Sequence, residues 1–571
     1  MRFTNSRLST PRHLPAALLL AAGLALSGCA NSSHERAATT KAIAPGAAAH
    51  YAGLNGYHRT VTTDSAEAQA WFDQGIQFLY GFNHDEAIRS FRAAAEADPD
   101  CAMAHWGEAY ALGLHINNPQ MGEEQSRLAY EASRRALDVL DHASTVEQHL
   151  IMAVALRYQW PVPEDRRPLD EAYADAMEAA YAMFPTDPDV GALFAESLMN
   201  LQPWDLWTHA GEPKGRTLKI LDVLEHTIAV DTDHPGANHF YIHAIEASPW
   251  PEKGTPSAER LVALVPGSGH LVHMPSHIFI RTGRYADAAD ANTRAINADE
   301  TYFSSAPAPD FYSLYYLHNV HFLAYASMME GRYEEALAAA RKIETNIPPE
   351  FLRTNVKFAD GFMPTVLHVL VRFGEWDQIL QEPEPEAYRL MSRAQRHYAR
   401  AVALANLGRI NEAKRELASF DKVVAQMDDG WFMGNNPASS VTGIARNMAA
   451  GEIAFKSGDA ETAFGLLREA VAQEDMLVYD EPPGWMQPVR HALGALLLAD
   501  GRAAEAESVY REDLARHAKN GWALLGLHQS LSAQGKTAEA QAIDAAKTLA
   551  WARADVTPAA SCYCHPDAGE P

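Results

Sequence analysis

Seven glycines constrain this chain more than any other feature. Gly283, Gly331, Gly408, Gly458, Gly501 and Gly535 are each followed five residues later by an alanine, at Ala288, Ala336, Ala413, Ala463, Ala506 and Ala540. Gly374, with Ile379, is a weaker member of the series. The pattern marks a turn between two paired helices. Two intervals between these glycines are 34 residues and the rest are 43 to 50, so one unit recurs and some copies carry longer loops. Elsewhere apolar residues recur at three- and four-residue spacing, and alternating Val/Ile-rich segments are absent. At 571 residues, 47% hydrophobic and 21% charged, the chain has ample core for an ordinary globular protein. Its length allows either several average domains or one long repeat array.

The first unit carries the most specific signal. Gly75, Phe78, Ala87, Phe91, Ala94 and Pro99 have the intervals of the tetratricopeptide repeat (TPR), which this chain resembles over nearly its whole length after the leader. Small residues stand where the two helices cross, aromatics fill the gap, and proline stops the second helix. The expected fold is all-α: one TPR-type α-solenoid of antiparallel helix pairs, with a concave groove lined by the first helix of each pair. The segment Pro203 to His209 reads as an irregular loop within a less regular stretch. The expected divisions are a leader (1–28), a flexible tether (29–63), an N-terminal helical region (64–230), a His-rich region (231–400), a C-terminal region (401–552) and a flexible tail (553–571). Four stretches resemble a bacterial family of long, lipoprotein-type TPR proteins: Tyr80 to His84, Asn238 to Ala244, His270 to His277, and Glu481 to Trp485. That resemblance supports the fold and implies no activity.

The N-terminus reads as an address. Arg2, Arg7 and Arg12 precede an apolar run, Leu14 to Ala25, that is too short to span a membrane. It ends Leu26-Ser27-Gly28-Cys29, which resembles a bacterial lipoprotein box, and the resemblance implies lipidation at Cys29. Ala30 is not Asp, which in Gram-negative lipoproteins implies the outer membrane. The expectation is a cell-envelope protein facing the periplasm and touching the membrane through its lipid anchor only. The net charge of −26 argues against nucleic acid as a partner, because phosphate recognition needs a Lys/Arg surface.

Histidine is the residue type to follow. Eight of the 25 lie between residues 231 and 321, about twice an even share. Their register matters more than their number. In TPR domains, ligand contacts come mainly from the second, fifth and ninth places of the first helix, counting the turn glycine as fifteenth. These places share one helix face. Counting back from Gly283 puts His270, His273 and His277 in those places. Counting back from Gly331 gives His318, His321 and Tyr325, and from Gly374 gives His368 in the ninth. With Pro266 as a terminal proline, His239 is fifth, His243 ninth and Glu246 twelfth. Four successive helices thus aim imidazoles into one groove. Pro275 is the residue able to kink the His270–His277 helix out of this alignment.

His239 and His243, four apart, can reach one ion from adjacent turns, and the other histidines can complete its shell. Seven imidazoles exceed one tetrahedral set, so the site has room for two ions, or for one ion with spare proton carriers. Imidazole-rich sites suit zinc, copper, nickel or iron, and an envelope location favours zinc or copper. Glu246 is the candidate ligand, orienting carboxylate or general base. The competing reading is a packed or pH-responsive histidine cluster without metal. In the Trp-rich loop, which adds Trp204 and Asp205 to the candidate groove, Asp205 and His209 can cap the groove; packing of the loop by Trp204 and Trp207 is the competing reading. His105, His115, His149, His397 and His491 read as scattered surface or core residues. In the tail, Cys562, Cys564 and His565 form either a second soft-metal site or a Cys-x-Cys disulfide.

No phosphate-binding loop, dinucleotide fingerprint or Gly-x-Ser-x-Gly elbow occurs in the sequence. Two functions remain. One is a lipid-anchored binding protein whose groove takes a peptide, a protein partner or a small metal-bearing ligand beside a His-rich metal site. The other is a metal-dependent enzyme, hydrolytic with zinc or oxidative with copper, built on the same histidines.

Overall fold

The computed structural model describes residue 44 and residues 46–54, 56–306 and 311–566. Cys29 and the whole leader lie outside the described residues. Antiparallel helix pairs follow one another along the chain, from Ala66–Tyr80 with His84–Ala97 to Gly521–Ala533 with Thr537–Ala542. The fold is an all-α solenoid of the TPR type. Among the described residues the only strands form a two-residue hairpin, Phe432–Met433 with Asn436–Pro437. No described helix is long and apolar enough to cross a membrane.

The repeating turn has a plain physical origin. All seven glycines of the series adopt φ between +73° and +85°, the left-handed region that costs glycine nothing. The alanines five residues on are buried at the helix crossings, as is Ile379. In the first pair the close approach is at Gly75, where an added Cβ would lie 2.7 Å from the Phe91 ring. Local caps set the helix starts. Ser65 and Asn83 accept from backbone N–H groups of the first turn. His234 does the same for Ala237, with Pro235 opening the helix behind it.

The groove is closed rather than open. The solenoid turns back on itself, so helices far apart in sequence meet. Trp522 donates its indole N–H to the Met328 carbonyl at 2.9 Å. Arg553 pairs with Asp290 at 2.9 Å, and Asp555 accepts from the backbone N–H of Tyr333 at 2.6 Å. At the other end Tyr57 and Arg59 bind Asp189 at 2.7 and 2.6 Å. These contacts bury the inner helix faces in one continuous core.

Two stretches expected to be loose are held in place. Residues 46–63 are not a free tether where they are described. Tyr51 donates its N–H to Gln74 at 3.1 Å, Gly267 donates to the Gly53 carbonyl at 3.0 Å, and Thr62 donates to Glu147 at 2.8 Å. This segment therefore straps several repeats together. In the tail, Ser561 donates to the His491 carbonyl at 2.9 Å, and Tyr563 lies against Gly374. Cys562 and Cys564 are disulfide-bonded to each other. Neither sulfur is then a thiolate, so the tail has the disulfide arrangement and not the soft-metal site with His565.

Candidate metal centre

Four helices bring the histidines together. His239 and His243 stand one turn apart on Pro235–Ile245. His270 and His273 come from Gly269–His273, and His277 from Pro275–Arg281. Pro275 interrupts that helix without redirecting it, because Met274 keeps right-handed helical dihedrals. His318 and His321 project from Ser313–Glu330.

The imidazoles form two trios: His239, His243 and His270, then His273, His277 and His318. In each trio one nitrogen per ring lies within 4.8 Å of the others. Behind these nitrogens, Nδ1 of His239, His243 and His273 is anchored, whereas His270 Nδ1 is buried without a hydrogen bond. His239 Nδ1 donates to the Tyr80 carbonyl at 2.7 Å, and His243 Nδ1 to Glu246 Oε1 at 2.9 Å. His273 Nδ1 donates to Asn292 Oδ1 at 2.7 Å. Asn292 cannot be turned around, since its amide N–H groups already serve Ser276 and the Ala288 carbonyl. His277 Nδ1 faces Glu246 Oε2 at 2.5 Å and Glu481 Oε2 at 3.1 Å. In His239, His243 and His273, anchoring Nδ1 fixes the tautomer and leaves Nε2 as a lone pair, as metal-binding histidines require.

Within each trio two Nε2 atoms meet at close range. His239 and His270 bring Nε2 atoms to 3.2 Å, and His273 and His277 bring theirs to 2.9 Å. Two nitrogens about 2.0–2.1 Å from a tetrahedral zinc are about 3.3 Å apart, so both spacings approach a coordination edge. Both Nδ1 atoms of the second pair face acceptors. The two Nε2 atoms therefore tolerate 2.9 Å only with a cation between or beside them, whether a proton or a metal ion.

Burial sets the proton affinities. It holds His239, His270, His273 and His318 well below their usual range, with neighbouring imidazoles adding to the effect. These rings are neutral and ready to ligate. His277 is the exception. Burial alone would lower it, but Glu246 and Glu481 hold it up at about 10. Burial would raise Glu246, yet His277 and His243 pull it down to about 2. Burial pushes Glu481 up to about 7 against the pull of His277. Glu246, His277 and Glu481 make a third cluster of possible ligand atoms.

A cavity of about 160 Å³ adjoins both trios. His243, His270, His277 and His318 reach its wall, and the rest of the wall is mostly apolar, including Leu314, Phe351, Phe358 and Phe362.

The remaining expected residues divide. Trp204 lines the cavity, with its ring edge-on to His243 at 5.2 Å. Asp205 does not cap it: its half-exposed carboxylate pairs with Lys214 instead. His321 lines the cavity but belongs to neither trio, and its ring lies 5.4 Å from Phe362. His368 packs edge-on to Trp485 at 5.1 Å, and Tyr325 is buried in the core, so neither reaches the cavity. Glu246 touches one imidazole of each trio through Nδ1. It orients both and is a ligand of neither trio.

Three contributors escaped the sequence reading. Glu481 arrives from a distant repeat; its Glu-Pro-Pro-Gly-Trp stretch has no register that places it at the groove. Asn292 lies on a second helix, outside the groove positions. Phe82 has φ +54° and stacks on His115 at 4.4 Å and His270 at 5.4 Å. His115, read as scattered, is thus buried behind the centre.

No protein-family model matches the chain, and no curated protein matches it. Among solved structures it is similar to the human IFIT1 dimer with m7Gppp-AAAA at 13% identity, over 86% of this chain and 91% of that one, with a TM-score of 0.30. It is similar to the human IFIT1 dimer with PPP-AAAA at 12% identity, over 83% and 89%, with a TM-score of 0.29. The TPR domain of P58(IPK) aligns at 11% identity over 83% of this chain and 99% of that one, with a TM-score of 0.22. At these scores the likeness carries no argument about ligand or activity.

Proposed function

We propose that this chain is a lipid-anchored envelope metalloprotein whose solenoid encloses a two-ion transition-metal centre, one ion in each histidine trio. The reading rests above all on the His273–His277 pair, where the two Nε2 atoms lie 2.9 Å apart, with His273 Nδ1 bonded to Asn292 and His277 Nδ1 facing Glu246. The repetition of the same anchoring around His239 and His243 supports a second ion. Zinc and copper are the leading metals, on the donor set.

The centre serves a small ligand in the adjoining cavity. An engineered apolar cavity of about 150 Å³ in another protein binds benzene, so the comparable space here suits a ligand of about one aromatic ring. A peptide laid along the groove has less support, because nearly every groove-register imidazole is buried. A protein partner, expected of a TPR-type solenoid, would meet an outer face.

The test is metal content. The chain beginning just after Cys29 is loaded with zinc or copper, then analysed by mass spectrometry and X-ray absorption. Two ions per chain in a nitrogen-dominated shell are expected. His239→Ala/His243→Ala and His273→Ala/His318→Ala should each lose one ion. A folded wild-type chain that retains neither metal would overturn the proposal.

A further inference from the structure

We infer that the two trios hold a pair of copper(I) ions, and that this pair binds one dioxygen molecule between them. The inference deepens the two-ion reading and rests on it. Three independent observations point the same way.

The first is the donor set. Each trio offers three imidazoles, with no thiolate or carboxylate among them. Copper(I) accepts three neutral nitrogen donors as a complete shell. Zinc completes a tetrahedron and needs a fourth ligand in each site.

The second is charge. Beside the trios lie Glu246, Glu481 and Asp480, with the part-buried guanidinium of Arg281 near them. Burial pushes Glu481 and Asp480 up to about 7, so near neutrality the four groups sum to between zero and −2. Two copper(I) ions bring half the charge of two zinc(II) ions and so leave the smaller imbalance in a buried setting, where uncompensated charge is costly.

The third is placement. Across the trios, the His243 and His277 rings are 5.9 Å apart, and His270 and His273 are 6.0 Å apart. Neither gap exceeds the widest pair within a trio, His243 to His270 at 6.3 Å. Ions in the two trios are therefore close enough to share a diatomic ligand. The cavity touches members of both trios through a mainly apolar wall, a route that suits an uncharged gas.

The chemistry balances without outside reagents. Each copper(I) gives one electron and becomes copper(II). The two electrons reduce dioxygen to peroxide: the O–O π bond is lost, and copper–oxygen bonds form to both metals. No proton moves. The centre's charge is +2 before and after, so the surrounding carboxylates face the same total charge in both states.

The experiment loads the chain with copper(I) under strict anaerobiosis, counts the metal, then admits a measured amount of dioxygen. Expected are two coppers per chain, uptake of one dioxygen per two coppers, and a product silent in electron paramagnetic resonance because the two copper(II) spins couple. His318→Ala, which disables one trio, should still bind one copper but take up no dioxygen in this ratio. Two coppers without uptake, or oxidation to isolated, resonance-visible copper(II), would overturn the inference and leave the two-ion reading standing. So would a chain that takes two zinc ions and refuses copper. Failure to bind any metal would overturn the two-ion reading itself.

Discussion

Replacing Glu246 with leucine tests the anchoring of the two trios, and the structure predicts an unequal result. Glu246 accepts from His243 at 2.9 Å and faces His277 at 2.5 Å. His277 has a second carboxylate, Glu481, at 3.1 Å, whereas Glu246 is the one acceptor placed at His243 Nδ1. In Glu246→Leu, His277 keeps an anchor and its Nε2 stays a ligand. His243 loses its anchor and can move its proton to Nε2, which turns a ligand into a donor. Losing such an outer partner typically costs 10- to 100-fold in metal affinity, or about 1.4–2.7 kcal/mol. That loss should fall on the His239/His243/His270 trio. The His273/His277/His318 trio should weaken by less than about tenfold. The assay is competition against a chromophoric chelator, with each trio isolated by His318→Ala or His239→Ala and folding checked by circular dichroism. Glu481→Leu is the control, with a small effect on both trios because His277 retains Glu246. Equal losses at the two trios, or the larger loss at the trio of His277, would refute the assigned anchoring.

The other expectations can be checked separately. His277 sits at about 10 in the metal-free protein, while His239 and His270 lie far below neutrality. Below about pH 10 an ion entering the His277 trio must displace a proton, so its apparent affinity should rise about tenfold per pH unit. Affinity at the other trio should be flat across neutral pH; calorimetry in buffers of different ionisation heat should find one proton released per chain, and two or none would contradict the assignment. A ring-sized apolar molecule such as phenol should raise the thermal midpoint of the protein in proportion to its occupancy. Leu317→Trp, which fills the cavity, should abolish that shift, and a persisting shift would place the ligand elsewhere. Cys29→Ala should move the protein from the membrane fraction to the soluble fraction, and unchanged membrane association would remove the lipid anchor.

What was legible in the sequence, and what was not, follows from the range over which each interaction acts. The turn glycines and the alanines five residues later are local, since one left-handed residue and one helix crossing are written within a few positions. The i, i+4 placement of His239 with His243, and of His273 with His277, is equally local, because helix geometry alone sets it. The groove register even survived Pro275, since proline near a helix start costs no hydrogen bond that was not already missing. His321, Tyr325 and His368 obeyed the same register and still fell outside the trios. Register specifies a helix face. It does not specify how far each pair of helices has rotated relative to the next. That rotation accumulates over the solenoid and decides whether the inner face remains a groove or winds shut.

Closure also explains why the carboxylates were hard to foresee. Glu481 reaches His277 across 204 residues of sequence only because the later repeats return to the earlier ones. The same return seats Trp522 on the Met328 carbonyl and Asp555 on the Tyr333 backbone. An open groove would leave the imidazoles in water, with ordinary proton affinities and free to turn. Winding the solenoid shut removes that water, which lowers the proton affinity of most of the rings and makes each remaining acceptor decisive for the tautomer. The turn glycines and the strap across residues 46–63 are therefore part of the centre's chemistry, because they maintain the dry enclosure in which five neutral imidazoles, His277 and a few carboxylates can hold a metal ion.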